Sequence, residues 1–251
     1  MSKFPLISII MTVYNGEQYI EESINSILNQ TFKNFELNIL LDGCTDNTEN
    51  IVKRLQNSPE SIINIIEHNH RKGCPERRQE LVEASNGEYI VIQDADDVSY
   101  SHRLEKEVFF LKNNPDIFCV GSFADKIDEN GEIFGIMDYP PEENEKIIEM
   151  IIKECKNPVI DPSVMYRTSI FNKLGGYNLD KNIFTVPDFD LWLRAVLNGE
   201  KFYNFQESLV KYRVNEEGVT RKHKKEMIEQ HMIVWKEFMR KYKYENNKRI
   251  L

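Results

Sequence analysis

The stretch YIVIQDADD, residues 89–97, decides how the rest of the chain is read. Tyr89–Gln93 is a continuous apolar run of strand length, the pattern of a strand covered on both faces. Three carboxylates follow within four residues, at Asp94, Asp96 and Asp97. Acids so close repel one another unless a cation or hydrogen-bond donors neutralise them. A hard divalent cation with oxygen ligands is the natural partner, and Mg²⁺ and Mn²⁺ are commonly held by one or two carboxylates plus substrate phosphates. The competing reading is a solvated turn capping the next helix. Position directly after a buried strand favours the ligand reading, because open α/β sheets bind ligands beyond the carboxyl ends of their strands.

Outward from this point, strands and helices alternate. Leu6–Val13, Phe35–Leu41 and Ile62–Ile66 read as strands. Helix patterns cover Glu17–Asn29, with Ile20, Ile24, Ile27 and Leu28 on one face, a segment capped by Thr45 or Asp46 and running to about Leu55, and Glu76–Ala84. The pattern predicts an α/β fold with a mixed, mostly parallel sheet flanked by helices. After Asp97 come a helix from about His102 to Asn113, a strand Ile117–Gly121, a turn at Glu129-Asn130-Gly131, and strand-like pieces to Met137. Helices are expected at Glu142–Cys155, Asp188–Leu197 and Lys222–Lys241. Residues 1–220 are read as one domain and 221–251 as a C-terminal helical tail. Other strand-end residues are Thr12, Tyr14 and Asp42. Neither GxGxxG nor GxxxxGK[ST] occurs, which removes the main support for dinucleotide and P-loop readings.

The 251 residues are 41% apolar and carry a formal charge of −9. Residues 221–251 hold ten Lys/Arg and four Asp/Glu, so the tail is basic and the body strongly acidic. An acidic body argues against nucleic acid as the main partner. Four cysteines without a CxxC pair suit a reducing cytosol rather than a disulfide scaffold. No stretch reaches the roughly 18 apolar residues of a membrane span, and no signal peptide is read at the N-terminus. The expected location is cytoplasmic, with peripheral membrane contact or a homodimer through the tail as further options. Ile228, Met232, Trp235, Phe238/Met239 and Tyr242 approach a helical repeat in that tail, and packing on the domain or a second subunit is the favoured reading.

The ordered motifs resemble those of family 2 glycosyltransferases of the GT-A fold, over residues 6–220. ISIIMTVYN (7–15) is similar to the family's opening strand, and LLDGCTDNT (40–48) to its DDGSTD element, with Leu41 at the first acid and Cys44 at the serine. RKGCPERRQ (71–79) is similar to the glycine-to-arginine segment, and Asp94 and Asp96 stand at its DXD motif. DPSVMYRTSIFNKLGGY (161–177) resembles the acceptor-side segment, PDFDLWLRA (187–195) the ED-type motif, and LVKYRV (209–214) the strand after it.

The resemblance implies a metal-dependent, inverting enzyme. It would move a sugar from a nucleotide-sugar, with UDP favoured, to a hydroxyl of a glycan or lipid-linked acceptor. Thr12, Tyr14, Asp42, Arg78, Asp94 and Asp96 would bind the nucleotide-sugar, with Asp42 accepting from the base and Asp96 holding Mn²⁺ or Mg²⁺. Asp188 is the implied general base, in preference to Asp190, and Asp97 and His223 are secondary candidates. Histidine, frequent in the family near Asp161 and Asn215, is absent from both positions, and Pro187 replaces a glutamate. Gly175-Gly176 reads as a turn, and Trp192 and Leu193 as core. The rival readings are a catalytically silent sugar-nucleotide-binding protein and a sugar-nucleotidyltransferase. The latter calls for a glycine-rich loop after the first strand that TVYNGEQY does not supply. A glycoside hydrolase would share paired carboxylates but needs neither the metal motif nor a nucleotide pocket.

Overall fold

The computed structural model describes residues 6–57, 61–215 and 223–250, with side chains to 244. The strands are β1 (Ile7–Val13), β2 (Phe35–Asp42), β3 (Ile63–His68), β4 (Tyr89–Ile92), β5 (Val98–Ser99), β6 (Ile117–Ile127), β7 (Ile133–Met137), β8 (Met165–Arg167) and β9 (Lys201–Arg213). The helices are α1 (Ile20–Leu28), α2 (Thr48–Gln56), α3 (Cys74–Ala84), α4 (Arg103–Asn113), α5 (Asn144–Glu154), α6 (Thr168–Lys173), α7 (Pro187–Leu197) and α8 (Lys224–Ile250).

The sheet runs β3-β2-β1-β4-β8-β6-β9-β5, with β7 paired to β6. β3, β2, β1 and β4 are mutually parallel, whereas β8 pairs antiparallel with both β4 and β6. The strand pattern is a period of two with both faces covered. Ile7, Ile9, Met11 and Val13 of β1 pack with α1, α2 and α4, while Ile10 joins α3, α5 and α7 on the other face. That is why these strands look continuously apolar in sequence.

Several boundaries differ from expectation. α2 starts at Thr48, because Asp46 Oδ1 accepts from the Thr48 amide and hydroxyl and forms a turn before the helix. Thr45 is tied to Asn15 instead, its amide donating to Asn15 Oδ1 at 2.8 Å. α3 begins earlier, at Cys74, with Pro75 in its first turn, where a missing N–H costs nothing. β6 runs on to Ile127, held along its length by β9.

The basic tail is packed on the body. Val234 and Phe238 are buried in the same apolar cluster as Phe189 and Trp192 of α7. Trp235 Nε1 donates to the Ile151 carbonyl at 2.8 Å, and Gln230 Oε1 accepts from the Thr185 amide and hydroxyl. The buried face is Gln230, Val234 and Phe238, with Met227, Trp235, Met239 and Tyr242 partly buried; Ile228 remains 57% exposed. Residues 221, 222 and 251 of the expected tail lie outside the described residues.

Candidate active site

Because β1, β2 and β4 are parallel, their carboxyl ends fall on one rim of the sheet. Thr12 and Tyr14, Asp42, and Asp94–Asp97 therefore gather there. This much the strand order alone requires.

Asp42 ends β2 and is 4% exposed. Its carboxylate accepts from the amides of Lys72 (3.0 Å) and Gly73 (2.9 Å) and from Arg77 Nε (2.7 Å). Burial pushes the carboxyl up, but the hydrogen bonds from Arg77, Gly73 and Lys72 outweigh it and hold the group below its ordinary value. Asp42 thus clamps the loop before α3. Gly73, at φ 109°, allows the tight approach, since a Cβ there would meet the Phe184 ring at 2.7 Å. Arg77 is the centre of this clamp: 1% exposed, it also donates to the His70 carbonyl and to Glu80. Sequence reading singled out its neighbour Arg78 and passed over Arg77. Tyr14 is 41% exposed at the same rim, with the Arg71 guanidinium 4.3 Å from its ring centre, and Thr12 Oγ1 touches Cys74 Sγ at 3.8 Å.

Arg78 bridges two acids. Nη2 donates to Asp94 Oδ1 at 2.8 Å and Nη1 to Asp161 Oδ2 at 2.5 Å. Asp161 sits on a single 3-10 turn, Asp161–Ser163, between α5 and β8. Burial, with the fields of Asp188 and Asp94, raises its carboxyl to about 7 against the opposing pull of Arg78. Asp161 therefore feels both the strand-end acids and the acid that opens α7. It stands near a position where the family often has histidine, and the sequence reading placed it in the 161–177 segment without giving it a role.

The acids after β4 divide by environment. Asp96 is half-buried, and burial together with Asp94 lifts it to about 6. Asp97 is 1% exposed, and its Oδ1 accepts from the Arg213 amide at 2.8 Å. Burial raises it further, and its Oδ2 has no partner among the described residues. Asp97 is thus an internal anchor for the end of β9 rather than a group presented at the rim. Arg213 adds to that anchor by donating to the carbonyls of Asp96 and Asp128 and to Glu22.

At the start of α7, Asp188 lies in the first turn and accepts from Asn157 Nδ2 at 2.9 Å. Asp190 is committed elsewhere: Arg194 Nε donates to it at 2.7 Å, and the same guanidinium holds the carbonyls of Leu174 and Gly176. His223 pairs with Glu226 at the surface, 3.2 Å away. Trp192 is fully buried and Leu193 is 2% exposed, as core residues. Gly175 and Gly176 form a turn at positive φ after α6, and Gly176 N donates to the Phe171 carbonyl.

Among the described residues, no three His, Cys, Asp or Glu side chains gather as a closed metal cage. The two rim carboxylates still fit a divalent cation. Asp94 keeps one oxygen clear of Arg78, and Asp96 is raised by burial and by the neighbouring Asp94, whose repulsion a cation would relieve. That donor set suits an ion shared with a diphosphate, not one enclosed by protein.

Residues 8–175 match the sequence profile of Glycosyl transferase family 2. The chain belongs to this family. It is 36% identical over 214 residues to an uncharacterized glycosyltransferase of Methanocaldococcus jannaschii, covering 84% of this chain and 71% of that protein. It is 28% identical to the Escherichia coli UDP-Glc:alpha-D-GlcNAc-diphosphoundecaprenol beta-1,3-glucosyltransferase WfaP, covering 90% and 84% respectively. The fold matches a mannosyltransferase of Pyrobaculum calidifontis solved with GDP-Man and Mn²⁺. That match has a TM-score of 0.68 at 18% identity, over 92% of this chain and 64% of that one. The GT-A fold expected from sequence is therefore present, although the chain spans less than two thirds of the length of that solved structure. No helix among the described residues is long and apolar enough to cross a membrane.

Proposed function

We propose that this family 2 glycosyltransferase is a metal-dependent, inverting enzyme. It moves a sugar from a nucleotide-sugar, with a UDP-sugar the favoured donor, to a hydroxyl of a glycan or lipid-linked acceptor. The observation that carries the reading is the placement of Asp161. Arg78 ties it to Asp94, and the charge of Asp188 acts on its carboxyl, which supports a single site joining the acids read as donor-side and acceptor-side.

In this reading Thr12, Tyr14 and the clamped loop at Asp42 wall the nucleotide, and Arg78 fixes Asp94 toward the donor. Asp42 Oδ2 already accepts from both the Gly73 and the Lys72 amide, so Asp42 serves the nucleotide by shaping that loop. Asp96, with Asp94, would hold Mn²⁺ or Mg²⁺, which when bound neutralises charge on the departing diphosphate. Asp188 takes the proton of the acceptor hydroxyl as its oxygen attacks the anomeric carbon. One displacement from the face opposite the nucleotide inverts that carbon.

Nucleotide release across a panel of UDP-, GDP- and dTDP-sugars with Mn²⁺ and added acceptors tests the activity. The silent-binder reading would bind UDP and release nucleotide from no donor. Proton and metal compete for Asp96, because a ligand carboxylate must be ionised. Mn²⁺ affinity, followed by calorimetry in the presence of UDP, is expected to weaken as pH falls through about 6. Asp96→Asn should remove that pH dependence along with most of the affinity. Retention of full metal-dependent activity by this variant would end the assignment.

Peripheral membrane contact would run through the outward face of α8, where Ile228, Met232 and Ile233 are exposed among Lys224, Lys225 and Lys236 and also among Glu226, Glu229 and Glu237. Basic residues near an anionic bilayer each contribute about 1 kcal/mol. Reversing all three lysines to glutamate is therefore expected to abolish co-sedimentation with phosphatidylglycerol-containing vesicles while preserving fold. Undiminished sedimentation would remove the membrane role. Deleting the tail is a poorer experiment, since it would uncover the cluster that Val234 and Phe238 complete.

A further inference from the structure

Asp188 is held from one side by an amide that has a second, unused half. Asn157 lies in the segment between α5 and the 3-10 turn and donates Nδ2 to Asp188 Oδ2 at 2.9 Å. Its Oδ1 is buried and without a partner among the described residues. The amide must be oriented this way, because the reverse would set two acceptor oxygens against each other. The segment itself is pinned at both ends. Cys155, in the left-handed region at φ 52°, ends α5, and its carbonyl meets His231 Nε2 of α8 at 2.8 Å. The Pro158 carbonyl accepts from Asn204 Nδ2 at 3.0 Å. The His231 ring also stacks flat on Phe189, the residue after Asp188, with centroids 3.6 Å apart and planes at 9°. Base and amide are thus set against each other by the same helix.

We propose that Asn157 is the positioning residue for the base. This inference rests on the assignment of Asp188 above. Nδ2 fixes Oδ2 of Asp188, which leaves Oδ1 of the carboxylate to receive the proton. As the acceptor oxygen bonds to the anomeric carbon, its proton passes to Asp188 Oδ1. The bond from that carbon to the phosphate oxygen breaks, and its electron pair leaves with the nucleoside diphosphate.

The test compares Asn157→Asp, which is isosteric, Asn157→Ala and Asp188→Asn. Each is assayed for UDP release from the UDP-sugar turned over fastest with Mn²⁺, across acid to neutral pH, with UDP affinity measured alongside. Asp161, Tyr139 and His231 are the titratable groups whose fields reach Asp188. They are common to all the variants, so a shift between Asn157 variants and the parent reports Asn157. Asn157→Asp replaces a donor to the carboxylate with a like charge. It is expected to lower kcat about tenfold or more and to move the acid limb of the profile upward by about one unit. Asn157→Ala, which removes the donor without adding a charge, is expected to lower kcat less and to move the acid limb less. UDP affinity should stay within about twofold in both, because the nucleotide lies on the donor side.

Parent-like kcat and acid limb in both Asn157 variants, with Asp188→Asn inactive, would overturn this inference alone. Loss of UDP affinity together with activity would show Asn157 to be only structural and would overturn it as well. Parent-like release by Asp188→Asn would instead bring down the base assignment itself.

Discussion

Asp188→Asn is expected to slow nucleotide release by about 10²–10⁴-fold, the usual contribution of a positioned general base. The substitution keeps the volume of the side chain and still offers an oxygen to Asn157 Nδ2, which lies 2.9 Å from the carboxylate. Fold and UDP binding should therefore survive, and the loss should fall on kcat. Asp190→Asn makes the informative contrast. Asp190 is bound to Arg194, whose guanidinium also holds the turn after α6. Its replacement should lower the unfolding midpoint while the chemical step in the surviving fold stays near the parent rate. Steady-state kinetics with thermal unfolding on both variants separates the two acids. If Asp190→Asn lost turnover in the folded protein and Asp188→Asn did not, the roles would have to be exchanged.

Arg77→Ala is expected to destabilise the protein by about 3–5 kcal/mol, the range for removing one partner of a buried ion pair. The loss should fall at the lower end, because the Lys72 and Gly73 amides would still donate to Asp42. The substitution leaves Asp42 without its guanidinium and the His70 carbonyl without its donor. The loop proposed to wall the nucleotide should loosen at the same time, so UDP affinity should fall even at temperatures where the variant is folded. Urea unfolding and calorimetric UDP titration measure the two effects. A loss below about 1 kcal/mol, the level of an exposed pair, would show that the clamp is not what holds the loop. The pH dependence has a definite sign. Asp42 is held below its ordinary value in the fold. Its contribution is therefore present above the unfolded carboxyl value of about 3.9 and is lost as pH falls through the folded one.

Much of the architecture was readable because it follows from short-range rules. Apolar runs at β1, β2 and β4 could be covered on both faces only by intervening helices, and parallel strands then bring Asp42 and Asp94–Asp97 to one rim. The rim itself was legible; the partners of its acids were less so. Asp190 and Arg194 are four apart on one helix, a spacing that favours an ion pair, so that pairing could have been read directly. Asp97 could not be separated from Asp96 in the same way, because its partner, the Arg213 amide, is 116 residues away. The tail shows a different obstacle. Its buried face includes Gln230, which a hydropathy repeat scores as outward, yet Gln230 is satisfied there by Thr185.

The two adjacent arginines state the division most plainly. Sequence alone placed Arg77 and Arg78 on one helix beside the strand ends. Successive residues on a helix point in different directions, so one guanidinium turns to Asp42 and the other to Asp94 and Asp161. Which arginine meets which acid is decided by the sheet order, which brings residues 78 and 161 together across 83 positions of chain. Strand alternation and helix periodicity are properties of a few neighbouring residues and can be read from the sequence. The pairing of charges is a property of surfaces that come into contact only after those elements have packed. Asn157 beside Asp188 is of that second kind.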